Sequence, residues 1–236
     1  MNDYLSYLRS INYGDVISGI TSLIGLFIYL SQKNKNKELK IFAIYLAVFP
    51  IIPIINCFYF EIFKPGYPSL LFSNLLKYED YFFTIFEYLV FQSFFIRASR
   101  LYQKHLMVQQ WIFLLCALIL LVTSIFFNRK LLYETLFFLF TLQAICLIIS
   151  AVMKFIEIFQ VPEFNELHKE PSFWIAIGIL ILTLCTLPFS FLLNFHKLDS
   201  FTGQLFLIFN FFYCILFILI IKAFLCKTAT KKSLVS

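Results

Sequence analysis

The chain has 236 residues, of which 61% are hydrophobic and 14% charged, and its mean hydropathy is +0.86. Soluble domains average about 45–50% apolar and about 25% charged residues, so a soluble globular fold is excluded and a polytopic membrane protein is indicated. The net charge of +6 does not point to nucleic acid, because the cations lie in short connecting segments and near the C-terminus instead of in one patch; membrane orientation and attraction to anionic lipid account for it.

Seven apolar runs follow one another, over 15–31, 41–60, 79–96, 111–128, 131–153, 171–194 and 201–226. A membrane helix needs about 20 such residues, whereas a barrel strand is about half as long and alternates. The sequence therefore predicts an all-α membrane protein, a single bundle of seven transmembrane helices over 1–236. Asp15 opens the first run and Lys33, Lys35 and Lys37 close it like a stop-transfer flank, which marks a retained helix and not a cleavable signal. Ser18, Ser22 and Gly25 share one face of that helix and read as a packing surface. In the segment 61–78, Pro65, Gly66 and Pro68 read as turns, and Leu70, Leu71, Phe72, Leu75 and Leu76 as a short interfacial helix or lid. The segment 154–170 mixes charges and is expected to carry the fifth helix beyond the membrane before a turn at Pro162.

Counting Lys and Arg by side gives orientation. One side holds 13, in the first, third and fifth connections and the tail; the other holds 6. The richer side is expected to be cytoplasmic, which puts the N-terminus outside, the C-terminus inside, and Trp111 and Trp174 at the cytoplasmic interface of an inner membrane. Pro50, Pro53 and Pro188, together with the alignment of Glu87 in helix 3 with Asn210 in helix 7, raise the expectation of two three-helix units joined by helix 4, a 3+1+3 pseudo-repeat of the kind found in some transporters.

With 33 Phe and only 6 Gly, helix association is expected to rest more on aromatic packing than on close backbone contact. The six cysteines (Cys57, Cys116, Cys146, Cys185, Cys214, Cys226) lie in or beside apolar runs with no C-x-x-C pair, and His105, His168 and His196 are far apart. They read as packing residues; no metal site and no cofactor is expected.

Glu87 is the informative residue. It lies about eight positions into the third run, or roughly 12 Å from its outer end at about 1.5 Å per residue, among Phe82, Phe83, Ile85, Phe86, Leu89 and Val90. Inserting a charge there costs about 2.5–3.5 kcal/mol, and such groups face the bundle interior. Two roles follow: a functional acid, or hydrogen-bonded glue between helices. Its partners are expected to be neutral, because every Lys and Arg falls in a loop or at a helix end. Thr84 lies one turn earlier; Asn210 and Tyr213 on helix 7 and Thr183 and Thr186 on helix 6 are candidates. Thr183, Thr186, Ser190 and Asn194 form a stripe at helical spacing, with Pro188 inside it, and Gln143, Cys146, Ser150, Lys154 and Glu157 form another on helix 5. Helix 4 offers only Thr123 and Ser124. A small polar pocket enclosed by helices 3, 5, 6 and 7 in the outer half is expected, with Glu87, Thr84, Asn210, Tyr213, Thr183, Thr186 and Gln143 as its ligand-binding residues. The acids near the outer helix ends (Asp15, Glu61, Glu79, Asp80, Glu134, Asp199) read as solvated, with a weak cation site at the mouth as the alternative.

There is no G-x-S-x-G, H-E-x-x-H or P-loop, and no Lys at mid-span in helix 7 for a retinal Schiff base. No catalytic residue is assigned. Tyr81–Arg100 (YFFTIFEYLVFQSFFIRASR) and Glu170–Phe195, with its Pro171-Ser172-Phe173-Trp174 opening, resemble helices 3 and 6 of small uncharacterised seven-helix inner-membrane proteins of Bacteroidota, as does Phe209-Asn210 in helix 7. Ile175 stands where that group carries Asn. The resemblance implies a sensory or signalling association and no activity. The favoured reading from sequence is a sensory or accessory subunit that binds a small or lipophilic ligand in the pocket and engages membrane lipids and a cytoplasmic or membrane protein partner. The alternative is a small-solute or proton-coupled transporter with Glu87 as coupling acid; a lipid-modifying enzyme is the third.

Overall fold

A computed structural model describes residues 2–32, 39–51, 70–126, 131–160, 169–195 and 200–226. They form seven helices: α1 (Asn2–Ser31), α2 (Lys40–Val48), α3 (Leu70–Ala98), α4 (Gln103–Phe126), α5 (Leu131–Phe159), α6 (Pro171–Phe195) and α7 (Ser200–Leu225). Among the described residues there is no strand. Five helices contain stretches long and apolar enough to cross a membrane: Gly14–Ser31, Gln103–Ile125, Thr135–Phe159, Pro171–Pro188 and Leu207–Leu225. α3 is long enough at 29 residues but is not among them; Thr84, Glu87, Gln92, Ser93 and Arg97 hold its hydropathy down. The part of the second expected span beyond residue 51, with Pro53 and Cys57, lies outside the described residues, as do Pro65, Gly66 and Pro68.

Several boundaries differ from those read in the sequence. α3 starts at Leu70, so Leu70–Leu76 are its first turns and not a separate lid; no Gly or Pro interrupts the chain from Ser69 to Ala98. α4 begins at Gln103, which places Trp111 two turns inside the helix and not at its start. α5 continues past its apolar run through Lys154 and Glu157 to Phe159, in keeping with the expected extension of the fifth helix; Pro162 lies outside the described residues. α6, by contrast, keeps its expected bounds to within one residue and stays helical through Pro188.

The packing is a closed ring. α1 lies on α2, α2 on α3, α3 on α5, α5 on α6, α6 on α7, and α7 returns to α1; α4 packs on the outside against α3 and α5. Only 17% of the α4 span is buried, and Trp111, Leu115, Leu118 and Ile119 face outward. α1 likewise exposes Ile17, Ile20, Leu23, Ile24 and Phe27. The interior meanwhile holds Glu87, Gln92, Gln143, Ser150, Lys154 and Asn210. Apolar outside and polar inside is the arrangement a hydrocarbon solvent imposes.

Two modes of packing hold the ring. Around α2, α3 and α7 it is aromatic: the Tyr45 ring lies 5.1–6.5 Å, centroid to centroid, from those of Phe49, Phe83, Phe86, Phe91 and Phe217, within the range of favourable ring pairs. At α7 the few glycines act instead. A Cβ on Gly25 would meet Leu46 at 3.0 Å and Ile221 at 3.2 Å, and one on Gly178 would meet Leu216 at 3.0 Å. Ser18 and Ser22 are fully buried beside Gly25 on α1, so this stripe of small residues is the face that α1 presents to its neighbours.

Candidate functional site

Glu87 projects from α3 into the centre of the ring and is 2% exposed. Three neutral groups on three other helices donate to its carboxylate. The Tyr45 hydroxyl of α2 donates to Oε1 at 2.6 Å. Gln143 Nε2 of α5 donates to Oε2 at 2.9 Å, and the Tyr213 hydroxyl of α7 donates to the same oxygen at 3.4 Å. Each donor is held by its surroundings: Tyr45 is fully buried among aromatic rings, and Tyr213 packs on Phe49 and Phe217. No Lys or Arg accompanies this carboxylate; the one ion pair among the described residues is Lys154–Glu157, at 3.7 Å. Glu87 thus accepts three hydrogen bonds, which leaves acceptor capacity on its carboxylate, and lacks a countercharge.

Beside it lies a cavity of about 10 Å³, lined by Glu87 and Phe91 of α3, Phe140, Gln143, Ala144 and Leu147 of α5, Leu182, Thr183 and Thr186 of α6, and Tyr213 of α7. That is room for one water-sized particle. The Gln143 carbonyl oxygen Oε1 is buried and has no hydrogen-bond partner. The Thr183 and Thr186 hydroxyls donate to their own helix, to the carbonyls of Ile179 (2.8 Å) and Leu182 (2.7 Å). Their oxygens keep only acceptor capacity.

The sequence-derived candidates fall into two groups. Glu87, Gln143, Tyr213, Thr183 and Thr186 converge on the cavity, which is bounded by helices 3, 5, 6 and 7. Thr84 is buried one turn away on α3 but does not line it. Asn210 turns the other way: its Nδ2 donates to Asp15 Oδ1 at 3.1 Å, and its Oδ1 accepts from Ser18 Oγ at 2.9 Å. Asn210 and Tyr213 are three residues apart, which rotates their faces by about 60°, so one meets α1 and the other the interior. Gly14 permits the contact, since a Cβ there would lie 2.8 Å from Asn210 Nδ2. Asp15 is accordingly half-buried and hydrogen-bonded, not freely solvated. The side chains of Ser190 and Asn194 lie outside the described residues.

Depth also departs from the expectation. Glu87 lies 17 residues from the start of α3 and 11 from its end. Thr183 is the central residue of α6, and Tyr213 is 13 residues from the start of α7 and 12 from its end. The cavity is at the mid-length of the helices and not in one half. The discrepancy arises because α3 begins nine residues earlier than its apolar run.

Two features were missed in the sequence. Tyr45 is one; its signal is a lone hydroxyl-bearing residue among the apolar residues of α2. The other is the partner of the α5 stripe. Ser150 donates to Gln92 Oε1 at 2.8 Å, Gln92 Nε2 to the Leu106 carbonyl at 3.0 Å, and Gln109 Nε2 to the Cys146 carbonyl at 2.6 Å. Farther along the same stripe, Lys154 is 5% exposed and donates to the Ala98 carbonyl at 2.7 Å, while Glu157 accepts from the Arg100 amide at 2.7 Å. A polar seam therefore runs along α5, facing α3 and α4.

Among the described residues no group of three His, Cys, Asp or Glu side chains could hold a metal ion, and Cys116, Cys146, Cys185, Cys214 and Cys226 are free thiols. No protein family, characterised protein or solved structure was found to match the chain. The buried Ile175 at the opening of α6 packs in the core, which explains an apolar residue at that position. Chemically, the centre of the bundle offers a lone carboxylate, a free carbonyl and a chamber for one small particle; it offers no nucleophile paired with a base.

Proposed function

We propose that this multi-pass membrane protein is a small-solute transporter coupled to a proton or another small cation through Glu87. The observation that carries this reading is the position of Glu87: a carboxylate without countercharge near the mid-length of the helices, beside a one-particle cavity, gripped from three other helices. Transporters place coupling sites near the midplane, between helices that move relative to one another, and loss or gain of one charge at Glu87 would alter contacts to α2, α5 and α7 together. The six-helix ring with α4 outside is compatible with a 3+1+3 arrangement. The charge asymmetry of the connections supports an inner-membrane orientation with the N-terminus outside.

The cavity weighs against the ligand-binding form of the sensory reading, since pockets for drug-sized ligands measure about 300 Å³ or more. A sensory or accessory subunit is retained as the second reading in a different form: the four-helix hub passes a change of charge at Glu87 to a protein partner.

The test is uptake by proteoliposomes of a panel of amino acids, sugars and small organic ions, under imposed proton or sodium gradients. Gradient-driven uptake of at least one solute, reduced tenfold or more by Glu87→Gln, is the expected result. Folded protein that takes up nothing, together with recovery of a stoichiometric partner from native membranes, would decide for the accessory subunit.

A further inference from the structure

The composition of the cavity wall identifies its occupant. The donors at Glu87 are consumed: the Tyr45 and Tyr213 hydroxyls and the Gln143 amide N–H all point at the carboxylate. The Thr183 and Thr186 hydroxyl hydrogens are directed at backbone carbonyls. What the polar lining residues have left is acceptor oxygen: the carboxylate, the unpartnered Gln143 Oε1, and the lone pairs of two threonines and a tyrosine. The remaining wall is Phe, Leu and Ala, so nothing there hydrates a guest. A single site of acceptors beside an uncompensated buried anion calls for a positive particle, because an isolated buried charge costs several kcal/mol. The volume, about 10 Å³, admits one ion without its water shell.

Hard cations without strong geometric demands take carboxylate, carbonyl and hydroxyl oxygens. A divalent ion would leave a net positive charge against one carboxylate. The Glu87 carboxylate, the Gln143 carbonyl and the two threonine hydroxyls offer five oxygens at most, which suits a small alkali ion better than a larger one that needs more ligands. Gln143 has a further part: its amide has Nε2 on Glu87 and Oε1 free. Protonated Glu87 would favour the flipped amide, with the carbonyl accepting from the acid.

We propose that the cavity between α3, α5, α6 and α7 binds one desolvated sodium-sized cation, held by Glu87, the Gln143 carbonyl and the Thr183 and Thr186 hydroxyl oxygens. This deepens the coupling reading of Glu87 and rests on it for its purpose, but not for its test. The titratable groups facing Glu87 are the Tyr45 and Tyr213 hydroxyls of α2 and α7; α5 and α6 present only Gln143 and the two threonines.

The experiment is sodium binding to the purified full chain in detergent. Radiolabelled sodium gives the stoichiometry, and thermal melting in sodium, potassium and choline chloride at constant ionic strength gives the dependence. Expected are one sodium per chain, saturable stabilisation by sodium over potassium and choline, and competition by protons. Thr186→Val removes a lining oxygen without touching a bond to Glu87; it should weaken sodium binding about three- to tenfold with the melting temperature in choline retained. Glu87→Gln should abolish the response. Wild-type melting that is identical in sodium and choline at every pH overturns the proposal, as does binding unaffected by Thr186→Val and Glu87→Gln. Absence of sodium binding with proton-driven uptake intact would overturn this inference alone. Sodium binding without uptake under either gradient would overturn the transport reading alone.

Discussion

Two acids on neighbouring helices, one buried and one partly buried, are held in opposite ways. Glu87, on α3, accepts from three side chains of three other helices and has no cation near it. Glu157, near the end of α5, has Lys154 one turn away on its own helix and accepts from the backbone amide of Arg100, in the short connection from α3 to α4. The second arrangement is a clasp: its charge is neutralised within the chain, and its bonds fix a turn. The first is open in charge, beside an empty space, and its bonds gather helices. A compensated acid holds structure. An uncompensated one invites a proton or an ion, and only such a site is suited to a change of state.

The largest effect should come from Glu87→Ala. Tyr45, Gln143 and Tyr213 would keep buried donors without an acceptor, and each such group costs about 1–3 kcal/mol in soluble proteins, while hydrogen bonds in membranes average about 0.6 kcal/mol. A loss of about 3 kcal/mol in detergent unfolding, followed by far-ultraviolet circular dichroism, is expected. Lys154→Met should cost about 2 kcal/mol, because it leaves Glu157 unpaired and the Ala98 carbonyl without its donor. Adding Glu157→Gln should restore part of that loss. A clasp variant more damaging than Glu87→Ala would reverse the comparison.

Gly25→Val tests the close contact of α1 with Leu46 and Ile221 and should destabilise by about 1–2 kcal/mol through overpacking. Tyr45→Phe removes one donor and keeps the ring, so a cost of about 1 kcal/mol is expected, with any sodium or proton response displaced in affinity but still present. Leu118→Ala, on the lipid-facing side of α4, should shift unfolding by less than about 0.5 kcal/mol. A larger shift would mean that α4 packs against protein and not lipid.

Much of this was readable from particular residues. Glu87 stands out because an acid in a run of Phe, Ile and Val has no other solvent to face. Gln143, Thr183 and Thr186 were found because polar residues at three- and four-residue spacing share one face. Tyr45 escaped because a tyrosine in an aromatic-rich chain carries no pattern of its own. Asn210 was assigned to Glu87 on depth alone, and depth does not specify the direction in which a side chain turns. The α5 stripe places Lys154 on the helix, but hydropathy does not show that a cation so near the helix end is buried against the Ala98 carbonyl.

The sequence by itself determined that the chain is helical and membrane-embedded, since a continuous apolar run must satisfy its backbone hydrogen bonds internally and its composition excludes a soluble core. It also singled out the acid, by the cost of burying it. Only the tertiary structure decided which helices meet: that α7 closes the ring onto α1, that α4 stays outside, that Asn210 serves Asp15 and Ser18, and that three donors meet at Glu87. Those choices depend on contacts between residues 40 to 200 positions apart, where the fit of aromatic rings and the few glycines selects among many pairings of equally apolar helices.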